Sequence, residues 1–308
     1  MKIYYSSDYS LSTRSVVALG CFDGVHIAHT KVIEEARSKA NDLGAQCVVW
    51  TFNEPPKNYF LSTPVPLLTD RYQKETAMKE SGVDILISLP FDKTICEISA
   101  EDFFEEIIIK KLNASHVVCG YDYTFGSKGQ GTTALLAELC KARSVGLTVI
   151  SKIEKDGIPV SSSAIRDLLS EGYPEKASDL LGRPYSLSSV VIDGQHLARN
   201  LGFPTVNQTP PSGMLIPKYG VYVSEIIIEN SDKKLYGITN VGVRPTVGGN
   251  TPFVETHIFD FSGDLYGLRI NIGFLKFLRE ERKFESLEEL TAQVNSDITT
   301  AKEFIENI

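Results

Sequence analysis

The chain has 308 residues, which is more than one hydrophobic core usually organises, so its length predicts two domains. Hydrophobic residues make up 42% of it, and no apolar run approaches the roughly 18 residues that a bilayer-spanning helix needs. This excludes a membrane transporter. A formal net charge of -8 argues against a broad nucleic-acid-binding surface, because affinity for phosphate backbones depends on clustered Lys and Arg.

The N-terminus and the cysteines indicate the compartment. The first residues, MKIYYSSDYSLSTRS, have no apolar segment behind a basic start, so we expect no secretory signal and a cytoplasmic protein. The cysteines are odd in number, and none forms a CxxC pair. We therefore expect reduced thiols, mostly in the core, and neither a zinc site nor a disulfide framework.

Short apolar runs alternate with helical periodicity through the first half of the chain. The runs predict buried strands at 15–19, 46–52, 83–89, 116–119 and 147–150. The first intervening helix carries an apolar stripe and is followed by Gly44, a residue type that commonly ends helices. The stripe consists of Val32, Ile33, Ala36, Ala40 and Leu43. Repetition of strand, helix and strand predicts a parallel α/β sheet.

The pattern changes from about residue 182 onward. Helical periodicity fades, and β-rich segments at 221–229, 235–241, 255–261 and 268–274 predict an antiparallel barrel or sandwich. A final helix is predicted after Ser286, which forms a capping box with Glu289, and its apolar face should pack on the barrel. That face consists of Leu287, Leu290, Val294, Ile298, Ala301 and Ile305. We place the domain boundary between residues 182 and 183.

The first predicted strand runs through a glycine-containing turn into the first helix. Backbone N–H groups at the start of a helix can bind a phosphate without any side-chain cation. His26 and His29 are three residues apart at this helix start, so both can face the same phosphate and stabilise charge on a five-coordinate phosphorus. A lone histidine at such a position is usually a cap, but the pair on this turn favours a phosphate site.

This turn resembles the HxGH signature of the nucleotidyltransferase superfamily, in the GxFDGxHxGH form of its FAD synthetase module. The resemblance implies that the turn binds nucleotide through Gly20, Phe22, Asp23 and Gly24. His26 and His29 would then act on the α-phosphate of ATP.

A serine-rich helix start lies a full α/β domain further along the chain. The segment 160–166 resembles the SSTxIR motif of the same family, which implies nucleotide contacts from Ser162 and Ser163 and a catalytic role for Arg166. Taken alone, such a serine cluster would be an ordinary helix cap. Residues 120–126 resemble the family's GxDFxFG segment, which implies flavin contacts from Asp122 and Phe125.

The segment 201–207, LGFPTVN, is the most specific string in the chain. Pro204 fixes its own φ, while Thr205 and Asn207 are two apart in an extended segment and face the same side. Their oxygens can bind a hard Mg²⁺ that also needs ATP phosphate oxygens. Without context the segment would be an ordinary turn, but it is nearly identical to the LGFPTAN signature of riboflavin kinases.

Further motifs of the same kinase family follow in the expected order. They are LGRPY at 181–185, a GxxNxGxRPT-like segment at 237–246 and ETH at 255–257. The resemblance implies that Glu255 is the general base for a primary alcohol. It also implies nucleotide contacts from Gly194 and Arg199 before the LGFPTVN segment, and flavin or ADP contacts from Arg279 and Glu280 in the tail.

The two resemblances cover essentially the whole chain. They imply a Rossmann-like α/β nucleotidyltransferase domain followed by an antiparallel β-barrel riboflavin kinase domain with a C-terminal helix. The implied reactions are phosphorylation of riboflavin to FMN and adenylylation of FMN to FAD, with ATP as co-substrate and Mg²⁺ as cofactor. Expected partners are riboflavin, FMN, FAD and ATP, without nucleic acid or membrane, and a homo-oligomer is left open.

Two alternatives stay open at this point. Ala28 replaces the glycine of HxGH and Pro55 replaces a histidine of the family's TFxPHP segment, which allows a monofunctional riboflavin kinase whose first domain has lost transfer activity. The other alternative is a non-catalytic sensor that binds flavin or nucleotide without turnover. The presence of Thr205, Asn207 and Glu255 argues against the sensor.

Overall fold

A computed structural model describes residues 1–192, 203–231, 233–246 and 249–308. This part of the chain forms two compact units, Met1–Ser162 and Ser163–Ile308. The segment 163–182, which the sequence analysis assigned to the first domain, groups with the second unit by contact. The boundary between residues 182 and 183 stays a prediction for the functional domains.

The first unit is built on a six-stranded parallel sheet, as the sequence predicted. Alternate residues of its central strand enter two separate cores, with Val17 and Leu19 on one face and Val16 and Ala18 on the other. The strands are β1 (Lys2–Tyr4), β2 (Ser15–Leu19), β3 (Gln46–Phe52), β4 (Ile85–Leu89), β5 (Ala114–Gly120) and β6 (Gly146–Ile150), in the order β1-β4-β3-β2-β5-β6. Only β1, a three-residue edge strand, is absent from the predicted set.

The helices of this unit begin and end with clear local signals. The first, α1 (Ile27–Leu43), buries the predicted stripe except for Leu43, which is 40% exposed, and ends at Gly44 with φ +57°. The others are α2 (Arg71–Glu80), α3 (Lys93–Glu97), α4 (Ala100–Asp102) with the π-helical continuation Phe103–Lys111, and α5 (Thr133–Ala142). Short 3-10 turns lie at Pro56–Phe60 and Ser127–Gly129, and β7 (Glu154–Lys155) pairs with β8 (Ile158–Pro159).

The strand order reverses at β2, which has β3 on one side and β5 on the other. In open α/β sheets, ligands bind outside the carboxyl ends of the strands at such a switch point. The turn containing His26 follows β2, and the 120–126 segment follows β5. The topology therefore places both predicted segments at the ligand-binding edge of the sheet.

The second unit contains an antiparallel sheet that curls into a barrel. Its strands are β9 (Tyr185–Val190), β10 (Thr205–Gln208), β11 (Gly220–Ile228), β12 (Lys234–Thr246), β13 (Gly249–Ile258) and β14 (Arg269–Arg279), in the order β10-β13-β12-β11-β14-β9. The edge strands meet where Ile192 N donates to Asn207 O at 2.9 Å and Gln208 Nε2 donates to Ser189 O at 2.6 Å. The predicted strand 255–261 ends early because the chain turns at Asp260, which has φ +51°.

Three helices complete this unit: α6 (Ser162–Glu171), whose first residue belongs to the first unit, α7 (Pro174–Leu181) and α8 (Leu287–Ile305). The last packs through Ala301 against Val221, Val223 and Ile238, as predicted. Its first residue, Leu287, is 63% exposed and lies outside this contact. Ser286 Oγ accepts from Glu289 N at 3.1 Å, but Glu289 Oε2 accepts from Glu285 N, so only half of the predicted capping box forms.

A buried ion pair joins β14 to α8. Arg279 Nε and Nη2 donate to the Asp297 carboxylate at 2.8 to 3.1 Å, and Gln293 Nε2 donates to Asp297 Oδ1 at 2.8 Å. The side chains of Arg279 and Asp297 are 20% and 6% exposed. The pair therefore fixes the end of β14 against the helix.

Replacing Asp297 by alanine is expected to lower the free energy of unfolding of the second unit by about 3 kcal/mol, because Arg279 would keep a mostly buried charge without its partner. Calorimetric unfolding measures the loss. Glu280→Ala is the matched control, since it removes the exposed Lys218–Glu280 pair and should cost far less. Equal losses in the two variants would contradict a stabilising role for the buried pair.

Two candidate active sites

The turn between β2 and α1 has an unusual backbone. Phe22 and Val25 adopt positive φ values of +51° and +41°, and Gly24 between them has φ +84°. A β-branched residue such as Val25 is strained in this region, at a cost of order 1–3 kcal/mol. Such strain persists only where the surroundings hold it, and it is concentrated at functional sites.

The side chain of Asp23 helps to hold this turn. Asp23 is buried, and its Oδ1 accepts from Leu68 N at 2.9 Å and Thr69 N at 3.3 Å. Thr69 Oγ1 in turn accepts from Gly24 N at 3.1 Å. The predicted nucleotide contacts of Asp23 and Gly24 stay predictions, and the geometry shows both residues bracing the turn. A Cβ on Gly20 would lie 3.0 Å from the Phe22 ring, so these two residues pack closely.

His26 caps α1 with its ring. Its Nδ1 accepts from His29 N at 3.3 Å, which occupies one of the N–H groups that the sequence analysis left for phosphate. A neutral ring whose Nδ1 accepts carries its proton on Nε2. His26 can therefore donate a hydrogen bond from Nε2 to an anion at the N-terminal end of α1.

His29 lies face to face with His26, with ring centroids 3.6 Å apart and an angle of 10° between the planes. Its Nδ1 is buried and has no hydrogen-bond partner among the described residues, which is the kind of orphaned polar atom expected at a binding site. Burial, and then the charges of His26 and Lys74, hold the pKa of His29 well below its ordinary value. His29 is thus a neutral donor near pH 7.

The serine-rich helix start contributes one observed contact to this turn. Ser162 Oγ donates to Asp23 O at 2.9 Å, so the serine is tied to the strained backbone. Ser163 is exposed on α6, and Arg166 is buried in its second turn. Both belong to the second unit, and their roles in binding nucleotide stay predictions.

The two predicted flavin residues after β5 differ in exposure. Asp122 is exposed and lies over Gly120, where an added Cβ would come 3.2 Å from Asp122 Oδ1. Phe125 is 5% exposed and packs against Phe103 at 5.6 Å and Tyr123 at 5.8 Å. The ring of Phe125 is thus part of the core, because neighbouring aromatic side chains cover it, and its flavin contact stays a prediction.

The second site forms on the barrel face that carries α8. In the register of the sheet, Asn207 lies opposite Glu255, and Glu255 lies opposite Asn240 on the next strand. Val221, which packs with α8, continues this row opposite Asn240. Three polar side chains from three strands therefore lie side by side, and the predicted residues Asn207 and Glu255 are brought together.

Thr205 is joined to Glu255 by a direct hydrogen bond. Thr205 Oγ1 donates to Glu255 Oε1 at 2.7 Å, and His257, opposite Thr205, bonds through Nδ1 to Pro204 O at 2.9 Å. Because the Thr205 hydroxyl donates this hydrogen bond to the carboxylate, the lone pairs of its oxygen are directed away from Glu255 and can face a cation. Oxygen donors of Thr205 and Asn207 fit a hard divalent ion that takes its other ligands from phosphates.

Two further residues, Asn240 and Glu281, lie beside this candidate site and were not predicted from the sequence. Asn240 Nδ2 donates to Glu281 Oε1 at 3.1 Å, and the Glu281 carboxylate lies directly over Gly242, where any Cβ would collide with it. Asn240 is part of the GxxNxGxRPT-like segment at 237–246, from which no site residue was predicted. Only the pairing of β12 with β13 places it beside Glu255.

The tail residues proposed to contact flavin or ADP have other partners. Arg279 is engaged by Asp297, and Glu280 is exposed and pairs with Lys218 at 2.8 Å. The lysine holds the pKa of the Glu280 carboxyl below its ordinary value. Their ligand contacts stay predictions, and Glu281 is the tail residue that reaches the row of polar side chains. Gly194 and Arg199 lie outside the described residues.

Family models match both halves of the chain. The FAD synthetase model matches residues 9–164, and the riboflavin kinase model matches residues 181–305. Among the described residues, no helix combines the length and hydropathy required to cross a membrane.

Curated relatives match over nearly the full length. The bifunctional riboflavin kinase/FMN adenylyltransferase of Bacillus subtilis is 34% identical, over 96% of this chain and 94% of the relative. The enzyme of the same name from Haemophilus influenzae is 34% identical, over 94% of this chain and 93% of the relative. A crystal structure of a macrolide-efflux protein from Streptococcus pneumoniae superposes with a TM-score of 0.90 at 29% identity, covering 98% of this chain and 99% of that one. This chain belongs to the bifunctional riboflavin kinase/FMN adenylyltransferase family.

Proposed function

We propose that the chain phosphorylates riboflavin to FMN at the barrel site and adenylylates FMN to FAD at the turn after β2, using ATP in both reactions. The observation that carries the proposal is the hydrogen bond between Thr205 and Glu255, which joins two residues 50 positions apart into one site. It supplies a carboxylate beside a cation-binding hydroxyl. Family membership supports both reactions, and we propose that they occur in the cytoplasm.

At the barrel site, Glu255 acts as the general base. It accepts the proton of the ribityl 5′-hydroxyl as that oxygen attacks the γ-phosphorus of ATP, and the bond to the leaving ADP oxygen breaks. The hydrogen bond from Thr205 orients the carboxylate. Asn240 and Asn207 flank Glu255 in the same row and limit its side-chain positions.

We propose Mg²⁺ as the cation at this site, held by Thr205 and Asn207. Both side chains offer neutral oxygen, which suits a hard ion that is bound mainly by substrate phosphates. In the described ranges, no group of three or more His, Cys, Asp or Glu residues could hold a metal ion by itself. When bound, Mg²⁺ would neutralise charge on the phosphates.

At the turn after β2, the FMN phosphate attacks the α-phosphorus of ATP and pyrophosphate leaves. A phosphate nucleophile is already ionised, so no side-chain base is needed. His26 and His29 donate hydrogen bonds to the developing charge, His29 from a neutral ring, and Arg166 is proposed to assist them. The orphaned Nδ1 of His29 supports ligand binding here.

Chromatography of purified protein with riboflavin, ATP and Mg²⁺ tests the proposal. FMN should appear first and FAD should follow, and FMN supplied directly should also yield FAD. Accumulation of FMN without FAD would favour the kinase-only alternative, to which Ala28 and Pro55 point. Flavin binding without any product would favour the sensor.

A further inference from the structure

A buried lysine that no motif pointed to lies beneath the first site. Lys74 is on α2 and is 5% exposed, and Met78, one turn later, is the other buried residue of this helix. Lys74 Nζ donates to Phe52 O at 3.0 Å and to Cys21 O at 3.3 Å. It therefore joins the end of β3 to the backbone that immediately precedes the strained Phe22.

Burial lowers the pKa of Lys74, and the neighbouring Cys21 and Asp23 oppose this shift. No carboxylate in the described ranges lies within ion-pair distance of Nζ, and two backbone carbonyls are its hydrogen-bond partners there. The carboxylate of Asp23 interacts with Lys74 electrostatically and accepts hydrogen bonds from Leu68 N and Thr69 N. A buried ammonium without a carboxylate partner is destabilising, so its presence calls for a compensating role.

We propose that Lys74 is a positioning residue for adenylyl transfer, which holds the Cys21–Val25 turn and provides positive potential where the phosphates bind. This inference rests on the proposed function of the turn. Cys21 O, which Lys74 holds, also accepts from Thr51 Oγ1 at 2.8 Å, so the start of the turn is fixed from two sides. Positive potential attracts the triphosphate and the FMN phosphate, which are both anions.

The same charge affects His29. The titratable groups that interact with Lys74 or His29 are Cys21 and Asp23 on the turn and His26, which caps α1. Lys74 itself lies on α2. Burial lowers the pKa of His29 most, and His26 contributes next. The charge of Lys74 lowers this pKa further, which keeps the ring neutral. Without the charge, His29 would become protonated at a higher pH.

The test compares Lys74→Met, Lys74→Gln and Lys74→Arg in the full chain, with Lys79→Met, an exposed lysine on the same helix, as the control. We expect Lys74→Met and Lys74→Gln to lower kcat/KM for FAD formation from FMN by about a hundredfold. When kcat/KM for FAD formation is plotted against pH, the fall in activity on the acid side should move to higher pH. Lys74→Arg should recover much of the rate and the original position of this fall, and Lys79→Met should behave as wild type.

Folding is monitored separately in each unit. The only tryptophan, Trp50, is buried on β3 two residues before Phe52, so its emission reports on the first unit. FMN formation from riboflavin reports on the second unit. If Lys74→Met unfolds the first unit, the comparison of Lys74→Gln with Lys74→Arg carries the test.

Two results would overturn the inference. One is FAD formation within twofold of wild type in a folded Lys74→Met or Lys74→Gln variant. The other is an equal loss in the neutral variants and in Lys74→Arg without any shift of the fall in activity on the acid side, which would mean a purely structural role. Failure of the proposed function looks different, because the wild-type protein itself would then make no FAD.

Discussion

Replacing His29 by alanine is expected to abolish FAD formation and to leave FMN formation from riboflavin intact. The imidazole lies against His26 at the start of α1 and has a buried nitrogen without a partner among the described residues, so its loss removes a polar group that we propose to contact the reacting phosphate. Removal of one such donor typically costs a factor of about 10²–10³ in kcat, and the stacked His26 would lose its support as well. Chromatographic assay of both products measures the effect.

His116→Ala is the matched control for this variant. His116 is a half-buried histidine in the same unit, its pKa is likewise lowered by burial, and its Nε2 is bonded to Thr148 Oγ1 at 2.8 Å. It lies on β5 and has no part in the turn. Loss of FAD formation in both histidine variants would indicate damage to the fold, and equal loss of FMN and FAD formation in His29→Ala would contradict the assignment of reactions to units.

Replacing Glu255 by glutamine is expected to stop FMN formation while FMN supplied directly is still converted to FAD. Glutamine keeps the shape of the side chain and an oxygen for the Thr205 hydroxyl, but it cannot accept the proton of the ribityl alcohol. Loss of a positioned general base lowers kcat by about 10²–10⁴-fold. The measurement is the rate of FMN appearance from riboflavin at saturating ATP.

Glu229→Gln provides the comparison, because Glu229 is an exposed carboxylate just after β11 in the same unit. It should retain both reactions. If Glu255→Gln phosphorylated riboflavin at close to the wild-type rate, Glu255 would not be the base. If it lost riboflavin binding as well, titration of flavin fluorescence would reveal this and would assign Glu255 to binding.

The sequence by itself determined the local and repetitive features of this protein. The strands at 15–19 and 46–52 were predicted residue for residue, because a short apolar run between turns is a local signal. The start and end of α1 follow from neighbouring residues, His26 and Gly44. The family resemblance likewise depends on strings such as LGFPTVN, which are read without reference to distant residues.

Only the tertiary structure decided which distant residues meet and which side chains are covered. The strand register brings Glu255 beside Asn207 and Asn240. Packing covers Phe125, pairs Arg279 with Asp297 and buries Lys74 against the backbone of Cys21 and Phe52. The physical reason is that the residues adjacent along the chain set local conformation. Its burial and its partners depend on which strand or helix folds against it.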